Sequence, residues 1–134
     1  LVDADTDSFN AIMNAFALPK KTEEEKERRS DAIQLATKTA IEVPLRVMQV
    51  SLESMELIKL MAMTGNPNSI TDAGVGALCA RSAVLGAHLN VKVNCLSYED
   101  KSYVQDILKQ AATLEESALK QEELILQFVN SQLR

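Results

Sequence analysis

Apolar residues recur at helical spacing along almost the whole chain. Val2, Phe9, Met13 and Phe16 share one helical face while Asp3, Asp7, Asn10 and Asn14 lie along another, so Leu1 to about Leu18 reads as a helix. Pro19 ends it. Beyond the turn, Thr22 stands three residues before Glu25. A hydroxyl and a carboxylate at that spacing can each take one of the unpaired N–H groups of a helix start, which predicts a capping box. Glu23 and Glu24 add negative charge at the positive end of the helix dipole.

A second helical pattern runs from Glu23 to about Thr64 with Pro44 inside it. Proline lacks the N–H that would bond the fourth residue back, and its ring crowds that carbonyl, so a break or kink is expected near Val43. Ile33, Ala36, Ala40 and Val43 form the stripe before it. After it, apolar residues from Leu45 to Met61 occupy nearly every face, which predicts a helix enclosed by neighbours or set at a subunit interface. Gly65-Asn66-Pro67-Asn68 is a stop, with Gly65 expected as a left-handed C-cap. Ser69 or Thr71 is expected to cap a third helix reaching about Asn94. Ser97 and Asp100 predict another capping box, opening a last helix from about Glu99 to Leu133. Its stripe is Val104, Leu108, Ala111, Leu114, Ala118, Ile125 and Phe128. Residues 91–96, VKVNCL, alternate as a strand would but continue the preceding helical stripe. The predicted fold class is all-α: a multihelical bundle of about four to five helices, one domain over 1–134.

Composition narrows this picture. Apolar residues make up 46% and aromatics only 4%, with no Trp, so the core must be built from Leu, Ile, Val, Met and Ala. The net charge of -5 and the scattered basic residues give no reason to bind nucleic acid. No apolar run approaches the roughly 20 residues of a membrane span, so no membrane partner is expected. Cys79 and Cys95 match no metal or redox spacing and read as reduced thiols of a cytoplasmic protein. Leu1 stands where Met would, and the helical pattern opens without a cap before Val2; both predict that further residues precede it.

All four glycines fall between 65 and 86, three of them inside the predicted third helix, where each costs about 1 kcal/mol relative to Ala. Asp72, Gly76, Ala80, Ala83, Ala87, Asn90 and Asn94 recur there at steps of three or four and make one narrow face of small residues between an acid and two carboxamides. Two readings stay open: close helix–helix packing, or the wall of a ligand cleft with Asp72 as its titratable group. Asp3, Asp5 and Asp7 form a second acidic cluster whose plain reading is a solvated helix start. His88, the single histidine, fits a surface or supporting position better than a general base. Lys20, Lys21, Arg28 and Arg29 suit an anionic group, although exposed charges around a turn usually do nothing specific. GVGALCARS lacks the Lys and the preceding strand of a phosphate loop, and no metal-ligand spacing or nucleophilic triad occurs.

Residues 2–29, VDADTDSFNAIMNAFALPKKTEEEKERR, and 65–96, GNPNSITDAGVGALCARSAVLGAHLNVKVNCL, carry a combination that closely resembles the formiminotetrahydrofolate cyclodeaminase family. Its pieces are D-x-x-x-F followed by L-P-K, the E-E-K-x-x-R run, and G-N…D followed by G-A-x-x-N-V-x-x-N. The family includes the cyclodeaminase half of formimidoyltransferase-cyclodeaminase and bacterial relatives acting as methenyltetrahydrofolate cyclohydrolases. Its domain usually opens with a Pro-Gly-Gly-Gly-Ser segment and an Ala/Gly-rich helix, which are absent here. The resemblance implies a multihelical homodimer or higher homo-oligomer, with a folate cleft near the subunit contact. It implies a tetrahydrofolate derivative as substrate and no metal or prosthetic cofactor. The implied reaction is cyclisation of 5-formiminotetrahydrofolate to 5,10-methenyltetrahydrofolate with release of ammonia. The alternatives are cyclohydrolase activity in the same pocket and a non-catalytic oligomerisation module. Because a carboxylate can pair with a cationic amidine, Asp72 and then Asp5 are expected as catalytic residues. Asn66, Asn90 and Asn94 would orient the substrate, and Lys20 and Arg29 would meet its glutamate tail.

Overall fold

A computed structural model describes residues 1–133. Four α-helices follow one another: α1 (Val2–Phe16), α2 (Glu23–Thr64), α3 (Ile70–Cys95) and α4 (Lys101–Gln132), with a short 3-10 turn (Pro67–Ser69) between α2 and α3. The all-α expectation holds. The strand-like 91–96 run is helical through Cys95. Helices α2, α3 and α4 pack against one another as the body of a four-helix bundle, and α1 lies chiefly along α2.

Local chemistry accounts for the helix ends. The Thr22 side chain accepts the Glu25 N–H at 3.1 Å, and the Glu25 carboxylate accepts the N–H groups of Lys21 and Thr22 at 2.7 and 3.2 Å. That is the expected capping box. Thr22→Ala should lower stability by about 1 kcal/mol in a denaturant titration without changing helix content measurably. The start of α4 differs from expectation. Asp100 alone is the N-cap, accepting the Tyr103 N–H at 3.0 Å, and the helix opens at Lys101 rather than Glu99. Ser97 instead donates to the Asn94 carbonyl behind it. The preceding connection is fixed from a distance by Gln34. Its carboxamide donates to the Ser97 carbonyl at 3.3 Å and accepts the Glu99 N–H at 3.0 Å.

Gly65 does end α2, but not through a left-handed conformation: its φ is -79° and its ψ is -169°. Glycine is needed there because a Cβ would run into the Met61 carbonyl oxygen. The glycines inside α3 have looser surroundings. A Cβ on Gly74 or Gly76 would reach ordinary contact with Val129 or Ile58 at 3.5 Å, and one on Gly86 would meet nothing within 4 Å. Close helix approach therefore does not explain them. Ser69 occupies the N-cap of α3 without a side-chain cap bond.

Pro44 breaks nothing. α2 is continuous over 42 residues, with Pro44 buried inside it. The carbonyl left without its N–H partner is that of Ala40, and it accepts Nδ2 of Asn94, reaching across from α3, at 2.6 Å. A donor 54 residues away in sequence thus replaces the missing backbone bond.

The core is as small-sided as composition predicted. Ile41, Met48, Met55, Val84, Val91 and Ile125 are its largest fully buried side chains, interleaved with Ala77, Ala80, Ala87, Ala111 and Ala118. The α4 stripe points inward as expected, with Ala111, Ala118 and Ile125 buried. On α1 the shared apolar face points outward. Val2, Phe9, Met13 and Phe16 are 83%, 61%, 53% and 51% exposed, whereas Ser8 and Ala15 are buried against the bundle. Ala11 and Ala15 lie beside Ala32 and Ala36 of α2, so small side chains face one another where the two helices meet. The buried Ser8 hydroxyl donates to the Asp5 carbonyl one turn back, at 2.8 Å.

Candidate functional site

Three helices meet around a cleft of about 440 Å³. Each contributes residues at helical spacing: Val2, Asp5 and Thr6 from α1, Pro44, Val47 and Ser51 from α2, and Ala83, Ala87 and Asn90 from α3. The α2 wall is largely apolar. The small α3 side chains leave the opening, and Asp5, Thr6, Ser51 and Asn90 bring a carboxylate, two hydroxyls and a carboxamide to it. Thr6 turns its hydroxyl back onto the Val2 carbonyl at 3.3 Å. Asp5 and Asn90 are exposed to the cleft and make no side-chain hydrogen bond among the described residues. A flat, partly polar molecule would find apolar contact on one side and unsatisfied polar groups at the edge.

The small-residue face of α3 proves to be a line rather than a pocket. Asp72 sits in the first turn of α3, exposed, and does not line the cleft. The 18 residues from there to Asn90 correspond to about 27 Å of helix. Asn66 is beside Asp72 at that far end, its side chain accepting the Asn68 N–H at 3.0 Å to cap the 3-10 turn. Asn94 is committed to Ala40, one turn beyond Asn90.

Arg29 is committed as well. Its Nε and Nη2 donate to the Phe16 carbonyl at 3.3 and 3.2 Å, and its guanidinium carbon lies 5.4 Å from the centre of the Phe16 ring. The cation thereby holds the C-terminal end of α1, where the helix dipole favours positive charge. Lys20 is exposed in the adjoining turn and does not line the cleft. Of the sequence-predicted residues, Asp5 and Asn90 are brought together. Asp72, Asn66, Lys20 and Arg29 lie elsewhere, and Asn94 stands just outside. Thr6, Ser51 and the Pro44–Val47 wall were missed, although 44, 47 and 51 carry the i, i+3, i+7 spacing of a single face.

His88 is not at the surface: it is 4% exposed, and its Nδ1 pairs with the Glu115 carboxylate of α4 beside a separate hollow of about 460 Å³. Cys79 and Cys95 are free thiols, and burial pushes the Cys95 thiol above its ordinary range. Among the described residues no cluster of His, Cys, Asp and Glu has the arrangement of a metal site, and no helix is long and apolar enough to cross a membrane.

Bundle and cleft together define an all-helical domain with a pocket of small-molecule size. The family model described as formiminotransferase-cyclodeaminase matches residues 1–113. The chain is 38% identical over 133 residues to methenyltetrahydrofolate cyclohydrolase of Methylorubrum extorquens, covering 99% of this chain and 64% of that protein. It is 36% identical over 126 residues to formimidoyltransferase-cyclodeaminase of Gallus gallus, covering 94% of this chain and 23% of that protein. The fold matches the crystal structure of formiminotetrahydrofolate cyclodeaminase from Thermotoga maritima with a TM-score of 0.81 at 21% identity, over 98% of this chain and 61% of that one. This chain belongs to the formiminotransferase-cyclodeaminase family.

Proposed function

We propose that the cleft takes a reduced folate and that the reaction is cyclisation of 5-formiminotetrahydrofolate to 5,10-methenyltetrahydrofolate with loss of ammonia. The observation that carries this reading is the meeting of Asp5 and Asn90, two residues of the family-like motifs, across an apolar-walled cleft. In the reaction N10 attacks the carbon of the protonated formimino group (–CH=NH2+), forming a tetrahedral centre whose exocyclic nitrogen is a neutral amine. The N10 proton leaves, the exocyclic nitrogen gains one, and the carbon–nitrogen bond to ammonia breaks. One carboxylate able to accept the first proton and return it to the departing amine suffices, and Asp5 is the carboxylate at the cleft. Asn90 would orient the formimino group, while Val47 and Pro44 would hold the ring system with N10 close to its target, a positioning effect worth several kcal/mol. Asn94 is reassigned to holding the fold. Arg29 holds α1, so Lys20 is the freer candidate for the glutamate tail.

A second reading is hydrolysis of the methenyl form in the same cleft, with water in place of the amine. The Methylorubrum relative is named for that activity, which favours it. The deciding experiment presents both substrates to the purified chain while following methenyl absorbance and free ammonia. Methenyl formation with matching ammonia release supports the cyclodeaminase reading. Loss of methenyl absorbance without ammonia supports the hydrolase, and no change on either substrate removes both.

Self-association belongs to the same proposal. The outward apolar face of α1, together with exposed Val75, Leu89 and Val93 on α3, suits a homodimer contact. Sedimentation at several concentrations should give a dimer mass, and a monomer throughout would remove that part.

A further inference from the structure

We propose that Asn94 is a positioning residue which completes α2 at Pro44 and so sets the width of the cleft. This rests on the folate reading for its functional consequence, but its structural part stands alone. Three observations converge. Pro44 withholds the N–H that the Ala40 carbonyl would accept inside a continuous helix. Ala40 is 5% exposed, so water has poor access to that carbonyl, and an unpaired buried acceptor is destabilising. Asn94 donates to it at 2.6 Å from the opposite helix.

The geometry gives this bond a second effect. Pro44 forms part of one wall of the cleft and Asn90 stands on the facing helix, and Asn94 is one turn from Asn90 as Ala40 is one turn from Pro44. This inter-helix hydrogen bond therefore ties the two walls together one turn beyond the cleft. The proline is what makes the bond specific: a helix with its own N–H at position 44 would need no donor from α3. Proline and asparagine thus act as a pair, one exposing an acceptor and the other using it to hold α3 in register.

The test is a double-mutant cycle on the full chain with Asn94→Ala, Pro44→Ala and the combination. Asn94→Ala alone should lower the unfolding midpoint by about 5 °C. In the Pro44→Ala background, where the backbone N–H can bond Ala40, the same change should cost less than half as much. The Asn90 side-chain amide resonances, read by 15N-labelled NMR, should move in Asn94→Ala and return toward their original positions in the double variant. If the chain turns over formiminotetrahydrofolate, KM should rise about tenfold in Asn94→Ala with kcat changed less, whereas the same change made in the Pro44→Ala background should raise KM less than half as much relative to Pro44→Ala itself. Equal effects of Asn94→Ala in both backgrounds would overturn the pairing, and an unmoved Asn90 resonance would overturn its positioning role. Coupling in unfolding and in the Asn90 resonance, in a chain inert toward folates, would support the positioning role while removing the folate reading. If Asn94→Ala does not fold, Asn94→Ser, which keeps a shorter donor, enters the same cycle.

Discussion

Asp5→Asn is expected to lower turnover of formiminotetrahydrofolate by about a hundredfold or more, while its helical signal and unfolding midpoint stay close to those of the parent. The amide keeps the size of the carboxylate and removes its ability to carry a proton. Asp5 is exposed and its side chain bonds to none of the described residues, so its charge contributes to the fold only the small stabilisation of a carboxylate in the first turn of α1. Asp72→Asn supplies the contrast. With Asp72 in the first turn of α3 and about 27 Å of helix between it and Asn90, its change should alter turnover by less than about threefold. The reverse ranking would move the catalytic carboxylate to the far end of α3 and remove the cleft as the site.

The largest expected effect on stability comes from Met55→Ala. Met55 is 0% exposed in the core cluster, and truncation of such a side chain costs about 2–5 kcal/mol depending on how far the surroundings close the hole. Here the upper half of that range is expected. A third of the buried cluster consists of alanines, among them Ala77, Ala111 and Ala118, which have no rotamers with which to fill a void. Urea unfolding of the variant provides the measurement; a loss below about 2 kcal/mol would mean that the backbone itself relaxes into the space.

Periodicity and capping chemistry made much of this fold legible. The Thr22–Glu25 box, the stop at Gly65 and the inward stripe of α4 depend on residues within a few positions of one another, so a linear reading reaches them. Orientation and non-local repair were less accessible. The α1 pattern correctly separates an apolar face from a polar one, yet the face that packs on α2 is the small one through Ser8 and Ala15. Hydrophobicity ranks faces, whereas close packing depends on how near two backbones can come. Pro44 shows the same limit, because its remedy lies on another helix. The candidate site was half legible for a geometric reason. A stripe of residues at helical spacing shares a direction but not a place, and Asp72 and Asn90 face alike while standing turns apart. Asp5 and Asn90 share a place only because α1 folds back along α2.

That last arrangement separates assembly of the cleft from folding of the body. α1 buries only Ser8 and Ala15 and packs chiefly on α2, while α2, α3 and α4 pack on one another. The Arg29–Phe16 clamp anchors its far end, some 11 residues and about 16 Å from Asp5. At concentrations where the chain is monomeric, backbone amides of α1 should exchange with deuterium well before those of α3, in a step that leaves the other three helices intact. Ligand held between Asp5 and Asn90 would slow that exchange selectively, so the first helix would serve as the clasp of the site and its amide protection as a direct measure of occupancy.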